Sequence, residues 1–282
     1  MSGRAAGAGT PAEPPRVSVV MAVRDGEPYL AEAVESLLAQ SFADFELVVV
    51  DDGSSDGSRD VVRSYGDPRI RLLENGRNLG LAASLNRGIR EARGELLARQ
   101  DADDVSEPER LARQVAHLDA HPEVALLGCA AREVDSRGRH LRDVPLPRDA
   151  AAVRWAMLFS CPFVHTAVVF RRSALERVGS YDERFSYSMD YELWLRIARV
   201  FPVANLPEPL VRYRVHEDSM TGAGGERTGE GARLRLALFA GLLGTTAGEP
   251  DAAGRHAALE ALVRGLDRPL PPEAVERAAA DL

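Results

Sequence analysis

Lysine is absent from this chain of 282 residues, so every one of its basic side chains except histidine is an arginine. The formal net charge is -8, because 43 acidic residues outnumber 35 basic ones. A protein that binds a polyanion normally carries a basic excess, and the chain therefore lacks the charge pattern of a nucleic-acid-binding protein. The absence of lysine itself indicates a GC-rich genome rather than a particular chemistry.

Cysteine is scarce and long apolar runs are missing. Cys129 and Cys161 stand in apolar surroundings. They predict buried free thiols in a reducing compartment, by default the cytoplasm, rather than a disulfide or a metal site. No run approaches the roughly 18 consecutive apolar residues of a membrane-spanning helix, so we expect no such helix, while peripheral membrane association stays open. With 45% hydrophobic residues, the chain can form a sizeable core.

Composition divides the chain into four parts. Residues 1–15 are rich in alanine, glycine and proline, lack the apolar core of a signal peptide, and predict a disordered tail. Residues 16–220 form the main domain, and the glycine-rich residues 221–231 predict a linker. Amphipathic patterns in residues 232–282 predict a small, separate helical appendage. We expect this appendage to serve association, including formation of a homo-oligomer.

Two glycine-rich phosphate-binding motifs are missing after the first predicted strand, Val17 to Val23. No Gly-x-Gly-x-x-Gly follows it, which disfavours a dinucleotide-dependent oxidoreductase. The turn Arg24-Asp25-Gly26-Glu27 also lacks the glycine-rich loop with a basic residue that a nucleotidyltransferase would carry. A helix and a second apolar strand, Phe45 to Val50, follow the turn. This strand–helix–strand order is typical of a parallel α/β sheet with both faces covered.

Acidic side chains follow two of the predicted strands. Asp51 and Asp52 end the second strand, and Asp101-Ala-Asp-Asp104 follows the apolar residues Leu96 to Ala98. In an open α/β sheet, ligands bind at the edge formed by the carboxyl ends of the strands. Three acids in four residues repel one another unless hydrogen-bond donors or a cation such as Mg²⁺ or Mn²⁺ hold them. A solvated loop that favours the next helix N-terminus is the alternative, and the residues leave both open.

Two helix starts are predicted beside candidate site residues. Ser106 and Glu109, with Pro108 between them, predict a capping box and an early-helix proline. Ser188 is the predicted cap of a later helix that carries Asp190 in its first turn. Taken alone, Asp190 would be a carboxylate that stabilises a helix N-terminus.

Six short motifs occur in order between residues 17 and 219. They are Val17-Ser-Val-Val-Met-Ala-Val-Arg-Asp25, Val50-Asp-Asp-Gly-Ser-Ser-Asp56, Asn75-Gly-Arg-Asn-Leu-Gly80, Asp101-Ala-Asp-Asp104, Met189-Asp-Tyr-Glu-Leu-Trp194 and Arg212-Tyr-Arg-Val-His216. This series resembles the inverting family 2 glycosyltransferases of the GT-A fold. The resemblance implies an α/β fold in which residues 16–220 form a Rossmann-like, mostly parallel central sheet with flanking helices.

The resemblance also implies an activity. The expected enzyme is a hexosyltransferase of polysaccharide biosynthesis, assisted by Mn²⁺ or Mg²⁺. It would move a sugar from a nucleotide diphosphate sugar, with uridine diphosphate as the expected carrier, to a hydroxyl acceptor with inversion. The acceptor could be a saccharide, a lipid-linked sugar or a small molecule. A nucleotidyltransferase and a non-catalytic module that binds nucleotide sugars are the competing functions.

The resemblance assigns the base pocket to the loop Val23-Arg24-Asp25 and to Asp52, whose carboxylate would accept a base N–H. Arg24 stands where many relatives have a stacking aromatic residue, and a guanidinium can also stack on a base. Asp101 would hold the ribose, Arg77 would contact the diphosphate or ribose, and His165 would shape the donor or acceptor pocket. The alternatives are a turn-capping Asp52 and a solvent-exposed Arg77.

By the same resemblance, Asp103 and His216 are expected to bind the metal that bridges the diphosphate, although His216 could instead contact the diphosphate itself or cap a turn. Asp190 would be the general base of a single displacement, removing the proton of the acceptor hydroxyl. Glu192 is its nearby rival for that role.

Overall fold

The computed structural model describes residues 13–217, 219 and 229–242. This part of the chain forms one nine-stranded sheet with helices on its two faces. The strands are β1 Val17–Val23, β2 Phe45–Asp51, β3 Ile70–Glu74, β4 Leu96–Arg99, β5 Val105–Ser106, β6 Leu126–Val134, β7 His140–Val144, β8 Val169–Arg171 and β9 Val203–Arg214. The helices are α1 Glu27–Leu38, α2 Ser58–Ser64, α3 Leu81–Glu91, α4 Arg110–Ala120, α5 Ala150–Ala156, α6 Arg172–Val178, α7 Met189–Ala198 and α8 Glu230–Leu242, with a 3-10 turn at His165–Ala167.

The sheet has the order β3-β2-β1-β4-β8-β6-β9-β5, with β7 added beside β6. The first four strands are parallel, β8 is antiparallel to both of its neighbours, and β6 and β9 are again parallel. The predicted α/β fold with a mostly parallel central sheet and flanking helices is therefore confirmed. Because β1, β2 and β4 end at the same edge, the loops that follow them meet there.

Both faces of the parallel strands are buried, which explains their uninterrupted apolar runs. In β1, Val19 and Met21 face one core together with Leu30 of α1, while Val20 faces the other together with Leu85 of α3. Alternate side chains of one strand thus anchor helices on opposite faces of the sheet.

The capping box predicted at Ser106 and Glu109 is wrong. Ser106 pairs with Val211 in the short strand β5, and its hydroxyl donates a hydrogen bond to Gln100 Oε1 at 2.7 Å. Helix α4 begins four residues later, at Arg110, and no side chain caps it. The serine hydroxyl and the backbone are therefore used to fix the acidic loop rather than the helix.

Helix α8 begins inside the segment predicted as a linker, since Glu230 and Gly231 already form its first turn. Leu238 is buried in the core beside α7, and Leu234 packs against the same cluster. The part of residues 232–282 that lies beyond Leu242 and the predicted tail as far as residue 12 are outside the described residues. None of the helices described is long and apolar enough to cross a membrane.

Candidate active site

Two connected cavities lie at the edge where β1, β2 and β4 end. The larger has a volume of about 690 Å³, and most of the predicted nucleotide and metal residues line it. These are Val23, Arg24, Asp25, Asp52, Asp101, Asp103 and His216. The smaller cavity, of about 220 Å³, contains His165 and Asp190 and shares Leu81, Asp101 and Asp103 with the larger one. Residues separated by almost two hundred positions are thus brought to one place.

Asp52 is held by the loop that precedes α3. Its carboxylate accepts hydrogen bonds from Asn75 Nδ2 at 2.8 Å and from the N–H groups of Leu79 at 2.8 Å and Gly80 at 2.9 Å. The side chain therefore orders a wall of the larger cavity. Asp52 thus has the turn-capping role, and it also lines the larger cavity, where the base is predicted to bind.

Asp25 joins the loop after β1 to the loop after β2. It adopts a left-handed backbone conformation with φ of 52°, and its carboxylate accepts hydrogen bonds from the N–H and hydroxyl groups of Ser55 at 2.7 and 3.0 Å. These two bonds lower the pKa of Asp25. Asp25 N–H in turn donates to Ser54 Oγ at 3.1 Å. The exposed Arg24 is consequently presented from a fixed loop.

Arg77 is exposed and lines neither cavity. Its backbone packs closely on Gly53, where a Cβ atom would lie 2.6 Å from the Arg77 carbonyl carbon. With φ of 76°, Gly53 also occupies the left-handed region that favours glycine. The backbone of Arg77 thus packs the loop before α3 against the loop after β2, while its guanidinium lies outside both cavities.

The three aspartates of the acidic loop have different surroundings. Asp101 forms an ion pair with the buried Arg99, and its N–H donates to Thr166 Oγ1 at 2.9 Å. Asp104 is fully buried and accepts a hydrogen bond from Arg214 N–H at 2.7 Å. Burial, reinforced by the neighbouring carboxylates, raises the pKa of Asp104 well above its usual range. Only Asp101 and Asp103 therefore face the cavities.

Asp103 and His216 meet at the boundary of the larger cavity, with Asp103 Oδ2 3.1 Å from His216 Nε2. Burial, followed by the charge of Asp101, raises the pKa of Asp103. The centroid of the Tyr29 ring lies 5.0 Å from that of the imidazole, with the two rings tilted by 41°. The guanidinium carbon of Arg214 lies over the Tyr29 ring, 4.7 Å from its centroid. The ring contact and the cation–π contact together hold His216 beside the acidic loop.

Asp103 and His216 could form part of a site for a divalent cation, with substrate phosphate oxygens as the remaining ligands. Within the described ranges, no three histidine, cysteine or acidic side chains are grouped so that they could hold a metal. Asp103 and His216 offer one carboxylate and one imidazole, which Mn²⁺ accepts, and Mg²⁺ commonly uses one or two carboxylates together with substrate phosphate oxygens. The partly exposed carboxylate beside a second acid also provides a negative charge that a cation would offset.

Asp190 lies in the first turn of α7 and lines the smaller cavity. Burial raises its pKa to about 6, the charge of Asp101 acts in the same direction, and Arg99 opposes the shift. Such a group is ionised at neutral pH yet basic enough to accept a proton, which suits a general base. The rival Glu192 is instead bound by Arg196 through two hydrogen bonds of 2.7 Å each.

His165 lies behind Asp101 and Asp190 in an aromatic cluster. Its Nε2 atom is 2.9 Å from the hydroxyl of Tyr181, and its ring packs edge-on against Trp194. Burial lowers the pKa of His165 to about 3, so the imidazole is neutral. A neutral ring held in this way can shape the cavity but does not supply positive charge to a leaving group.

The start of α7 is fixed by a residue that the sequence analysis missed. Ser188 occupies the predicted cap position, but its side chain caps nothing. The carboxylate of Glu230 instead accepts the N–H groups of Ser186, Tyr187 and Ser188 at 3.1, 2.9 and 3.0 Å. Burial raises the pKa of Glu230, but these hydrogen bonds outweigh it and lower the value. No local pattern reveals this contact, because it joins residues 42 to 44 positions apart.

Arg110 is a second residue near the site that sequence reasoning missed. It is fully buried, and its guanidinium donates to Gln100 Oε1 at 2.8 Å and to the carbonyl of Arg99 at 2.7 Å. It also donates to Ser106 Oγ at 2.9 Å and to Gln114 Oε1 at 3.1 Å. One side chain on α4 thereby joins residues on both sides of the acidic loop.

Replacing Arg110 by methionine is expected to destabilise the protein by about 2–4 kcal/mol, since each buried acceptor left unpaired costs about 1–3 kcal/mol. Arg113→Met on the same helix is the matched control, because Arg113 is exposed and forms one surface ion pair with Glu208 at 3.5 Å. Its free energy of unfolding should change by no more than about 0.5 kcal/mol. Urea denaturation would compare the two variants, and equal effects would show that Arg110 does not anchor the loop.

Comparisons with known proteins agree with this architecture. The family model described as Glycosyl transferase family 2 matches residues 18–179. The putative glycosyltransferase EpsE of Bacillus subtilis is 38% identical over 215 residues, which cover 73% of this chain and 74% of EpsE. The amylovoran biosynthesis glycosyltransferase AmsE of Erwinia amylovora is 36% identical over 195 residues, covering 67% of this chain and 71% of AmsE.

Solved structures with the same fold include two nucleotide-sugar complexes. TarS of S. aureus in complex with UDP-GlcNAc matches with a TM-score of 0.67 at 20% identity, covering 87% of this chain and 71% of that one. The mannosyltransferase PcManGT of Pyrobaculum calidifontis, in complex with GDP-Man and Mn²⁺, matches with a TM-score of 0.58 at 25% identity. That alignment covers 96% of this chain and 75% of the neighbour.

Proposed function

The chain belongs to glycosyl transferase family 2, and from this premise we propose that it transfers a sugar from a nucleotide diphosphate sugar to a hydroxyl acceptor with inversion. The observation that carries the proposal is the position of Asp190. Its carboxylate, with a pKa raised to about 6, faces a cavity that shares Asp101 and Asp103 with a nucleotide-sized one. The family match ends at residue 179, so the role of Asp190 rests on this geometry and on the motif around it.

The larger cavity is the proposed site of the nucleotide. Its volume of about 690 Å³ lies within the roughly 300–1,000 Å³ of small-molecule sites. Val23, Arg24 and Asp52 surround the proposed base position, and Asp101 lies where the ribose would follow. Uridine is the proposed base. PcManGT contains GDP-Man instead, so a comparison of the two nucleotides belongs to the test.

Asp103 and His216 are the proposed protein ligands of Mn²⁺ or Mg²⁺. The bound cation would supply positive charge that offsets the charge of the diphosphate. The chain's own residues prepare this place, because the Tyr29 ring fixes His216 and the ion pair with Arg99 fixes Asp101 beside it. Arg77 is not included among the diphosphate contacts, since its side chain lies outside the cavity lining.

The proposed transfer is a single displacement. Asp190 accepts the proton of the acceptor hydroxyl as the hydroxyl oxygen attacks the anomeric carbon of the sugar. The bond to the diphosphate breaks on the opposite side, so the configuration of that carbon inverts and no covalent intermediate forms. Glu192 is not the base in this scheme, because Arg196 occupies both of its oxygens.

The pH dependence of transfer tests this assignment. Since Asp190 must be ionised to accept a proton, kcat/KM is expected to fall about tenfold per pH unit below about pH 6, the pKa to which burial raises this group. Initial rates between pH 4.5 and 8 would be measured with the donor saturating, after checking that the protein remains folded at each pH. A rate that is level down to about pH 4 would contradict the assignment.

The competing functions make different predictions. A non-catalytic module would bind nucleotide sugars but would neither transfer nor hydrolyse them, whereas an active transferase releases the nucleoside diphosphate slowly even when water is the acceptor. Anomeric-proton NMR of the transferred sugar would distinguish inversion from retention. Association through residues 232–282, including oligomer formation, stays a prediction, because residues 243–282 of this segment lie outside the described ones. Peripheral membrane binding also stays a prediction.

A further inference from the structure

A third cavity, of about 360 Å³, lies beside Asp190 on the side where α8 begins. Cys161, Ser188, Asp190 and Tyr191 form one wall. Gly229, Gly231, Ala232 and Arg235 form the other wall. This cavity shares Ser188 and Asp190 with the smaller of the two cavities at the sheet edge. A molecule bound here would therefore touch the proposed base without occupying the nucleotide site.

Arg235 is the one cation in the described lining of this third cavity. Its Nε atom is buried and has no hydrogen-bond partner. What sets Arg235 apart is its lack of an acidic partner among the described residues, since Arg99 pairs with Asp101, Arg196 with Glu192 and Arg214 with Glu32. The Nε atom of Arg99 is likewise buried without a hydrogen-bond partner. A buried donor without a partner is costly, and an anionic ligand in this cavity would supply the missing acceptor.

The electrostatics of the site favour an anionic ligand at Arg235. Asp101, Asp103 and Asp190 make the neighbouring cavities acidic, so a negatively charged acceptor would be repelled unless a cation lay on its own side. An arginine guanidinium binds phosphate and carboxylate groups through two parallel hydrogen bonds. The third cavity provides this group next to the proposed base.

We propose that this third cavity binds the acceptor and that Arg235 selects acceptors that carry a phosphate or carboxylate near the hydroxyl to be glycosylated. The proposal rests on the proposed function, because it takes Asp190 as the base. Glu230 supports it by tying the start of α8 to the backbone of residues 186–188, which fixes the arginine relative to α7. Arg235 is therefore a binding and specificity residue rather than a group that moves a proton.

Gly231 leaves space between two side chains that line this cavity. A Cβ atom at this position would lie 3.3 Å from Arg235 Nη1 and 3.4 Å from Ser188 Oγ. A larger side chain would therefore crowd the guanidinium without touching the nucleotide cavity. Gly231→Val offers a second, steric way to test the proposal that leaves the charge of the chain unchanged.

Direct binding of small probes tests the selectivity. Isothermal titration would be performed on the full chain with UDP and Mn²⁺ present. The anionic probes are glycerol 3-phosphate and methyl glucuronide, and their neutral counterparts are glycerol and methyl glucoside. At least one anionic probe is expected to bind about ten- to a hundredfold more tightly than its neutral counterpart, as charge-assisted hydrogen bonds allow. Comparing the two pairs distinguishes a phosphate from a carboxylate acceptor.

Variants separate this inference from the proposed function. Arg235→Gln should abolish the preference and Gly231→Val should weaken binding of the anionic probe, while Arg233→Gln, an exposed arginine on the same helix, should preserve it. Binding of UDP should be equal in all of them. Equal binding of anionic and neutral probes, no binding of any probe, or an unchanged preference in Arg235→Gln would overturn the inference. Failure of the unmodified chain to bind UDP or GDP would instead overturn the proposed function.

Discussion

Replacing Asp190 by asparagine is expected to lower the rate of sugar transfer by about 10²–10⁴-fold, the effect typical of removing a general base. Asparagine keeps the size of the side chain but cannot accept the acceptor proton. A group that acts in the transition state contributes to turnover more than to donor affinity, so the variant should bind the donor almost normally. Single-turnover transfer and donor titration would measure the two quantities separately.

The neighbouring Glu192 provides the matched control. Glu192→Gln weakens the pair with Arg196, whose guanidinium also donates to the carbonyls of residues 178–180, so this variant should lose stability rather than chemistry. Its transfer rate is expected to remain within about tenfold of the unmodified protein. If the two variants lost equal activity, or if Asp190→Asn transferred at a nearly normal rate, Asp190 would be only a carboxylate at a helix start.

Thermal unfolding of Asp190→Asn would test whether misfolding, instead of the missing carboxylate, explains a loss of activity. Burial raises the pKa of Asp190 in the folded protein from 3.8 to about 6, so folding favours the protonated form of this carboxyl. Its favourable contribution is present below pH 3.8 and is lost as the pH rises through about 6. Asp190→Asn should consequently have an equal or higher Tm than the unmodified protein at pH 7.5.

The parallel half of the sheet could be predicted because its signals are local. The observed β1 has the predicted ends, and β2 is longer than predicted by the single residue Asp51. Both strands are buried on both faces and are therefore continuous apolar runs, and the acids that follow them lie at the ligand-binding edge. The six motifs that carry the family resemblance are likewise short stretches of neighbouring residues.

The second half of the sheet was less predictable, because its signals conflict. Strand β9 extends over Val203–Arg214 and includes Pro207 and Pro209, although prolines are depleted within strands and would predict an interruption here. A proline cannot donate a ladder hydrogen bond, and the pairing with β6 shifts register between Cys129 and Ala131, opposite this segment. The irregularity accommodates the prolines and lets one strand continue to the acidic loop.

Long-range electrostatic contacts were not predictable from sequence spacing. Glu230 lies more than forty residues from the amides that it binds, and Arg214 donates its N–H to Asp104 across 110 positions. Glu230 stands in no pattern that distinguishes it from a solvated charge, and the motif that includes Arg214 does not indicate which residue Arg214 contacts. The candidate site could thus be predicted as a set of acids on one edge, but the arginines and the glutamate that position those acids required the three-dimensional structure.

Removing the Asp103 carboxylate is expected to abolish the metal dependence of nucleotide binding. The unmodified protein should bind UDP more tightly with Mn²⁺ than with EDTA, because Asp103 and His216 hold the cation against the diphosphate. Asp103→Ala should weaken binding in Mn²⁺ by at least about 10- to 100-fold, the range reported for loss of groups that only support a metal ligand. Its binding in EDTA should be unchanged or tighter, since a carboxylate near the diphosphate is then absent. Isothermal titration under both conditions measures these differences.

Asp143 provides a matched control, because it forms another aspartate–histidine pair, with His140 at 3.0 Å, on the exposed strand β7. Asp143→Ala should keep the full metal dependence, since neither residue of that pair lines a cavity at the sheet edge. Repeating the titration with GDP tests the base separately, and tighter GDP binding would replace uridine without affecting the role of Asp103. Unchanged affinity and unchanged metal dependence in Asp103→Ala would instead remove this residue from the metal site, because a cation bound elsewhere would not respond to its loss.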